Sequence, residues 1–220
     1  MLAAVLFDMD GTLIDTEKLW DVALRELAAR YGGVLSDRGR ATMMGSSAPN
    51  TMLLLREDLG LSDVDLAEGA AWLLARMGQL FTAGVPWRPG ALELLAAVRA
   101  AGIPTALVTN TERGLVAVAL RTLGETNFDA ILCGDEVAFS KPHAEHYLAA
   151  ARVLGVEPAR CVAIEDSPTG LASARAAGCV VLAIPNDVPL GEDDIAGATV
   201  RSSLLDVDVP LLRRLVAAGG

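Results

Sequence analysis

From about residue 91 the chain alternates between short apolar runs and longer stretches of helical periodicity, and this alternation limits the fold more than any other feature. Pro104–Val108, Ala130–Cys133, Cys161–Ile164 and Val180–Ile184 read as strands, with a weaker one at Thr199–Val200. Between them Ala91–Ala101, Glu112–Leu123, His143–Leu154 and Pro168–Ala177 read as helices, the first four runs of this kind each closed by a glycine. A last helix is expected over Leu204–Ala217. The runs are almost wholly apolar rather than alternating, so both faces of each strand must be covered. Strands in that state, joined by helices, give an α/β domain with a doubly wound parallel sheet. In such a sheet, ligands lie beyond the carboxyl ends of the strands.

One further apolar run, Leu2 to Phe7, belongs to the same sheet but is separated from it by a long stretch with no strand pattern. That stretch reads as helices over Glu17–Tyr31, Ser36–Met44, Asn50–Leu59 and Ser62–Phe81. Leu19, Val22, Ala23, Leu27 and Arg30 form the expected stripe of the first, with Thr16 as its N-cap. Ser62 and Asp63 are the expected caps of the fourth. Val85-Pro86-Trp87-Arg88-Pro89-Gly90 then forms a hinge. The expected organisation is a core domain over residues 1–15 and 84–220 and an inserted α-helical cap over residues 16–83.

The strand ends carry the polar residues. Leu2–Phe7 runs into Asp8-Met9-Asp10-Gly11-Thr12. Residues two apart on an extended chain project to one side, so Asp8 and Asp10 can face a common point. Two crowded acids divide their roles or share a cation, which allows a nucleophile, a proton carrier and a metal seat. Gly11 permits a sharp turn, and Thr12 offers a hydroxyl and an amide beside it. Thr109-Asn110 follows the Pro104–Val108 run, where a hydroxyl and an amide can hold phosphate oxygens or simply cap a helix. Lys141-Pro142 follows the next strand. Lys141 is one of two lysines among 18 basic residues, and an ammonium there can neutralise a phosphate or a carboxylate. Glu165-Asp166-Ser167-Pro168-Thr169-Gly170 follows Cys161–Ile164, and two acids packed against Asp8 call for a hard cation such as Mg²⁺.

Composition excludes several classes. A net charge of −10 without a basic cluster speaks against a nucleic-acid partner. No apolar run is long enough to span a membrane, and no secretory leader is visible. Cys133, Cys161 and Cys179 lie apart in apolar surroundings and read as buried free thiols of a reducing, cytoplasmic setting. His143 and His146, three apart, read as surface positions. A monomer or weak dimer is expected.

Taken in order, these four segments resemble the signatures of the haloacid dehalogenase superfamily: Asp8-x-Asp10-Gly11-Thr12, Thr109, Lys141-Pro142 and Glu165-Asp166-Ser167-x-x-Gly170. The last is similar to the β-phosphoglucomutase-like, sugar-phosphatase branch. The resemblance implies a Mg-dependent phosphatase acting on a small phosphorylated metabolite, a sugar or polyol phosphate, through an aspartyl-phosphate on Asp8. It implies Asp10 as acid and base, Thr109 and Lys141 as charge stabilisers, and Mg²⁺ on Asp8, the Asp10 carbonyl and Asp166, with Glu165 touching metal-held water. Thr16, beside the cap, is expected to couple closure to Asp10, and Trp20 to stack on the sugar or pack inward. β-Phosphoglucomutases carry a His where Trp20 stands and an Arg near Ala48, so a phosphomutase is the second reading. A catalytically silent phosphate-binding regulator and a phospho-acceptor receiver are further alternatives, the receiver being short and capless.

Overall fold

The computed structural model describes residues 1–186 and 190–218. Residues 187–189 and 219–220, inside the expected core range, lie outside the described residues. Six parallel strands form one sheet in the order β3-β2-β1-β4-β5-β6. These are β1 (Ala4–Phe7), β2 (Thr105–Val108), β3 (Ala130–Leu132), β4 (Cys161–Glu165), β5 (Val180–Ala183) and β6 (Thr199–Val200). The α/β, doubly wound expectation holds, including the short sixth strand.

β1, β2 and β4 are buried along their whole length because each central strand feeds two cores. Val5 and Phe7 of β1 pack into one cluster, Ala4 and Leu6 into another, as the two-residue pleat requires. The first cluster takes α5 (Ala91–Ala100), α6 (Arg113–Leu123) and α10 (Val209–Ala218). The second takes α7 (Glu145–Leu154) and α8 (Pro168–Ala176). A fully buried Leu or Phe contributes about 1.5–3 kcal/mol by leaving water, so Leu6 and Phe7, both without exposed surface, anchor the sheet's centre.

Between β1 and α5 the chain forms α1 (Glu17–Arg30), α2 (Asp37–Thr42), α3 (Ala48–Asp58) and α4 (Leu66–Thr82). Two adjacent chain segments join them to the sheet. Asp15 N donates to the Pro86 carbonyl and Arg88 N to the Leu13 carbonyl, at 2.9 and 2.8 Å.

Several local expectations need correction. The buried stripe of α1 runs through Ala23, Leu24, Leu27 and Ala28, while Val22 is exposed, so the helix is turned by about one residue. Thr16 precedes α1 but its hydroxyl does not cap it. α4 starts at Leu66, not Ser62, because Asp65 accepts from the Ala67 and Glu68 amides and takes the cap. Pro142 follows a cis peptide in the turn before α7, which opens only at Glu145. The last helix opens at Val209; Leu204–Asp206 is a separate 3-10 turn. A short α9 (Glu192–Ile195) was not expected. His143 is exposed as expected, but His146 is wholly buried: it shares the inward stripe of α7 with Tyr147, Ala150 and Ala151. The three cysteines are free and buried, as read from their surroundings.

Candidate active site

The register of the sheet gathers the motif residues. Phe7 pairs with Leu107 on one side and Ile164 on the other. Asp8, the segment after Val108, and Glu165-Asp166 therefore leave the sheet along one rim. Asp8 N donates to the Ile164 carbonyl at 3.1 Å, which fixes the nucleophile candidate against β4.

Lys141 enters this rim from the loop after β3 and is 4% exposed. Its Nζ donates to Asp8 Oδ1 at 2.7 Å, Glu165 Oε1 at 2.6 Å and the Val108 carbonyl at 2.8 Å, which uses all three ammonium protons. Burial works against its charge, but the Asp8 and Glu165 carboxylates hold the ammonium above the ordinary lysine range. Among the described residues this lysine provides the only hydrogen bond to the Asp8 side chain, and to Oδ1 alone. Burial, reinforced by the Glu165 charge, pushes Asp8 up to about 8 despite the lysine. Asp166 is raised too, by burial and then by Asp8 and Glu165.

The acids outnumber their cation, and their oxygens converge. Asp8, Glu165 and Asp166 each offer one oxygen within 4.8 Å of the others. Asp166 Oδ2 is buried with no hydrogen-bond partner. Gly11, at φ +81°, leaves room for it: a Cβ there would collide with that oxygen. An orphaned carboxylate oxygen in an all-oxygen cluster fits a hard divalent cation such as Mg²⁺. Glu165 is engaged otherwise as well. Its Oε1 also accepts from the Tyr147 hydroxyl at 2.5 Å.

Asp10 stands apart, held by donors. Thr16 Oγ1 donates to Oδ1 at 2.7 Å and Trp20 Nε1 at 3.1 Å. Thr111 Oγ1 donates to Oδ2 at 2.7 Å, with Thr109 Oγ1 at 3.5 Å. Thr16 thus spends its hydroxyl on Asp10 rather than on the helix end. Trp20 points its N–H at Asp10 while its ring packs against the core.

The other expected residues fall near the rim in supporting roles. Thr12 is fully buried and donates to Asp166 Oδ1 at 3.4 Å. Asn110 spends both ends of its amide: Nδ2 donates to the Gly45 carbonyl at 2.7 Å, and Oδ1 accepts from Lys141 N at 2.9 Å. It ties the lysine loop to the helical block rather than presenting a free amide. Thr169 Oγ1 meets the same Gly45 carbonyl at 3.1 Å.

A pocket opens over this rim. Asp8, Asp10, Thr109, Thr111 and Lys141 form its floor; Glu17, Trp20, Leu24, Arg40, Met43 and Met44 line it from the helical block. Sequence reasoning missed Thr111, Tyr147, Glu17 and Arg40. Thr111 had a signal, being the third polar residue of Thr109-Asn110-Thr111. The other three act through partners 18 or 23 residues away.

Known proteins resemble this chain over most of their length. The chain is 36% identical over 202 residues to the protein CbbY of Rhodobacter capsulatus, covering 87% of this chain and 89% of that protein. It is 33% identical to hexitol phosphatase A of Escherichia coli, covering 86% and 88%. The crystal structure of Rhodobacter sphaeroides CbbY in complex with xylulose-(1,5)bisphosphate matches with a TM-score of 0.86 at 28% identity, over 96% of this chain and 99% of that one. A model of the haloacid dehalogenase-like hydrolases matches residues 2–178, and the chain belongs to that family.

Proposed function

We propose that this hydrolase is a phosphoric monoester hydrolase that releases phosphate from a small phosphorylated carbohydrate or polyol, with Asp8 as nucleophile. One observation carries the reading. At one pocket floor stand a carboxylate bonded only to a lysine and a second carboxylate ringed by hydroxyl and indole donors. Asp8 Oδ2 attacks phosphorus, the P–O bond to the substrate breaks, and an aspartyl-phosphate forms. Asp10 gives its proton to the departing alkoxide and takes one from the water that then attacks the aspartyl-phosphate. Lys141 and Thr109 stabilise charge on the transferring group. Glu165 and Tyr147 set the lysine's position.

Asp8 and Asp166, with the Asp10 carbonyl, would hold Mg²⁺, and Glu165 stands behind them on Lys141. Bound there, the cation keeps these acids ionised and draws charge from the phosphate oxygens. Residues 16–83 serve as a cap that closes the pocket against water, and Thr16 and Trp20 hold Asp10 from the cap side. The relatives' names, a hexitol phosphatase among them, support a phosphorylated polyol.

The test is steady-state phosphate release from a panel of sugar and polyol phosphates, with Mg²⁺ or with EDTA, for wild type and Asp8→Asn. Turnover that needs both Mg²⁺ and Asp8 is expected. Conversion of β-glucose 1-phosphate to glucose 6-phosphate without phosphate release would establish the mutase instead. Silence in both assays would leave only a binding role.

A further inference from the structure

The roof of the pocket carries an ion pair that takes no part in the phosphate chemistry. Glu17 opens α1 directly after the linker; Arg40 lies in the last turn of α2. Arg40 Nη2 donates to Glu17 Oε2 at 2.5 Å and to the Glu17 carbonyl at 3.1 Å. The side chains are 13% and 12% exposed, and both line the pocket. Arg40 Nε is buried with no hydrogen-bond partner, its nearest acid, Asp21, standing 3.5 Å away. Burying two charges costs more than their attraction returns, and an apolar pair would serve stability as well. The pair is set where the organic part of a ligand must lie.

Charge decides which ligand suits it. Five acids surround the pocket floor and roof: Asp8, Asp10, Glu17, Glu165 and Asp166. Two cations answer them, and both are taken: Lys141 by Asp8 and Glu165, Arg40 by Glu17. With a divalent cation bound and Asp10 carrying its proton the set is neutral, so the transferring phosphate by itself turns the loaded site negative. A second phosphate, or a carboxylate, at the far end of the substrate would meet the Glu17 carboxylate with no free cation among the described pocket residues to receive it. Hydroxyl groups are better matched. Glu17 accepts from them, the unused N–H groups of Arg40 donate to them, and the ion pair need not break.

Resting on the phosphatase reading above, we infer that Glu17 and Arg40 form a charge-neutral clamp. It selects a monophosphate whose far end is a neutral polyol and rejects substrates bearing a second anionic group there. These are specificity-determining residues, not participants in bond breaking.

The experiment compares kcat/KM for fructose 6-phosphate, sorbitol 6-phosphate, fructose 1,6-bisphosphate and 2-phosphoglycolate, with p-nitrophenyl phosphate as a probe that has no hydroxyl groups. Wild type is expected to favour fructose 6-phosphate over the bisphosphate by tenfold or more, since like charges brought together cost several-fold in affinity at least. Glu17→Gln should raise KM for fructose 6-phosphate and shrink that preference by about tenfold. Arg40→Gln, which leaves Glu17 unpaired, should widen it. A structural effect alone would lower both substrates by one factor and leave the ratio unchanged. The clamp is overturned if wild type turns over the bisphosphate as well as the monophosphate, or if neither variant moves the ratio. Phosphate release that requires Asp8 and Mg²⁺ alongside either result would sink the clamp and spare the phosphatase. Wild-type silence on every substrate, p-nitrophenyl phosphate included, would remove both.

Discussion

Lys141→Met takes away the cation that two buried carboxylates share. The lysine side chain is 2% exposed, and those of Asp8 and Glu165 are 9% and 0% exposed. Water is therefore poorly placed to replace three hydrogen bonds of 2.6–2.8 Å. Removing one partner of such a pair costs about 3–5 kcal/mol, most of it from the charge left behind. Methionine fills much of the space of the lysine stem, so little of the loss comes from a cavity. With a urea m-value of about 2 kcal/mol/M, the unfolding midpoint should fall by roughly 1.5–2.5 M. The assay is urea unfolding in EDTA, followed by tryptophan fluorescence and circular dichroism. Glu165→Gln provides the control, because it removes one of the two charges and keeps an acceptor for Nζ. The double variant should cost less than the two single variants together, by about 0.5–3 kcal/mol. A Lys141→Met midpoint within about 0.5 M of wild type, or strict additivity in the double variant, would refute the account of a lysine neutralising two acids.

Three other substitutions probe separate parts of the structure. Gly11→Ala forces a side chain into the left-handed region and against Asp166, and should lower the unfolding free energy by at least about 1–2 kcal/mol; an unchanged urea midpoint would contradict both the strain and the clash. Thr111→Val leaves Asp10 Oδ2 with only the long Thr109 contact, and kcat should fall about tenfold with little change in KM; loss confined to KM would contradict the role. Burial pushes His146 down to about 4 from an ordinary 6.5, so the unfolded chain takes up the proton first as pH falls. The stability this neutral histidine provides is full above pH 6.5 and is lost between 6.5 and 4, about 3 kcal/mol in all. His146→Leu should therefore gain on wild type by that amount as pH drops through the window, and a pH-independent difference would reject it.

The parts of the site that sequence made legible share one property: each lies on the polar segment that follows an apolar strand. Asp8, Thr109, Lys141 and Asp166 follow β1, β2, β3 and β4, so the strand ends predict where they gather. The rest depends on contacts that no local pattern encodes. Tyr147 reaches Glu165 from the inward face of α7, and its neighbour His146 reads as a surface residue until that face is known. Trp20 offers a choice between a sugar platform and core packing; in the structure its ring both packs against the core and lines the pocket, and its indole N–H meets Asp10. α4's late start has a simpler origin. Ser62-Asp63-Val64-Asp65 offers three caps in a row, and only the geometry at Asp65 selects among them.

The sheet order has a consequence for how the molecule comes into being. Among the described strands β1 is synthesised first, yet it occupies the centre, with Val5 paired to Thr105 on one side and to Val162 on the other. Its two edges thus wait for partners roughly a hundred and more than a hundred and fifty residues downstream, and contacts of such separation form slowly. A nascent chain stopped before Cys161 holds Asp8 at the end of a strand with one edge bare and with neither Glu165 nor Asp166 beside it. The acid cluster therefore assembles late and all at once, so fragments released early from the ribosome carry an exposed apolar edge and an incomplete site.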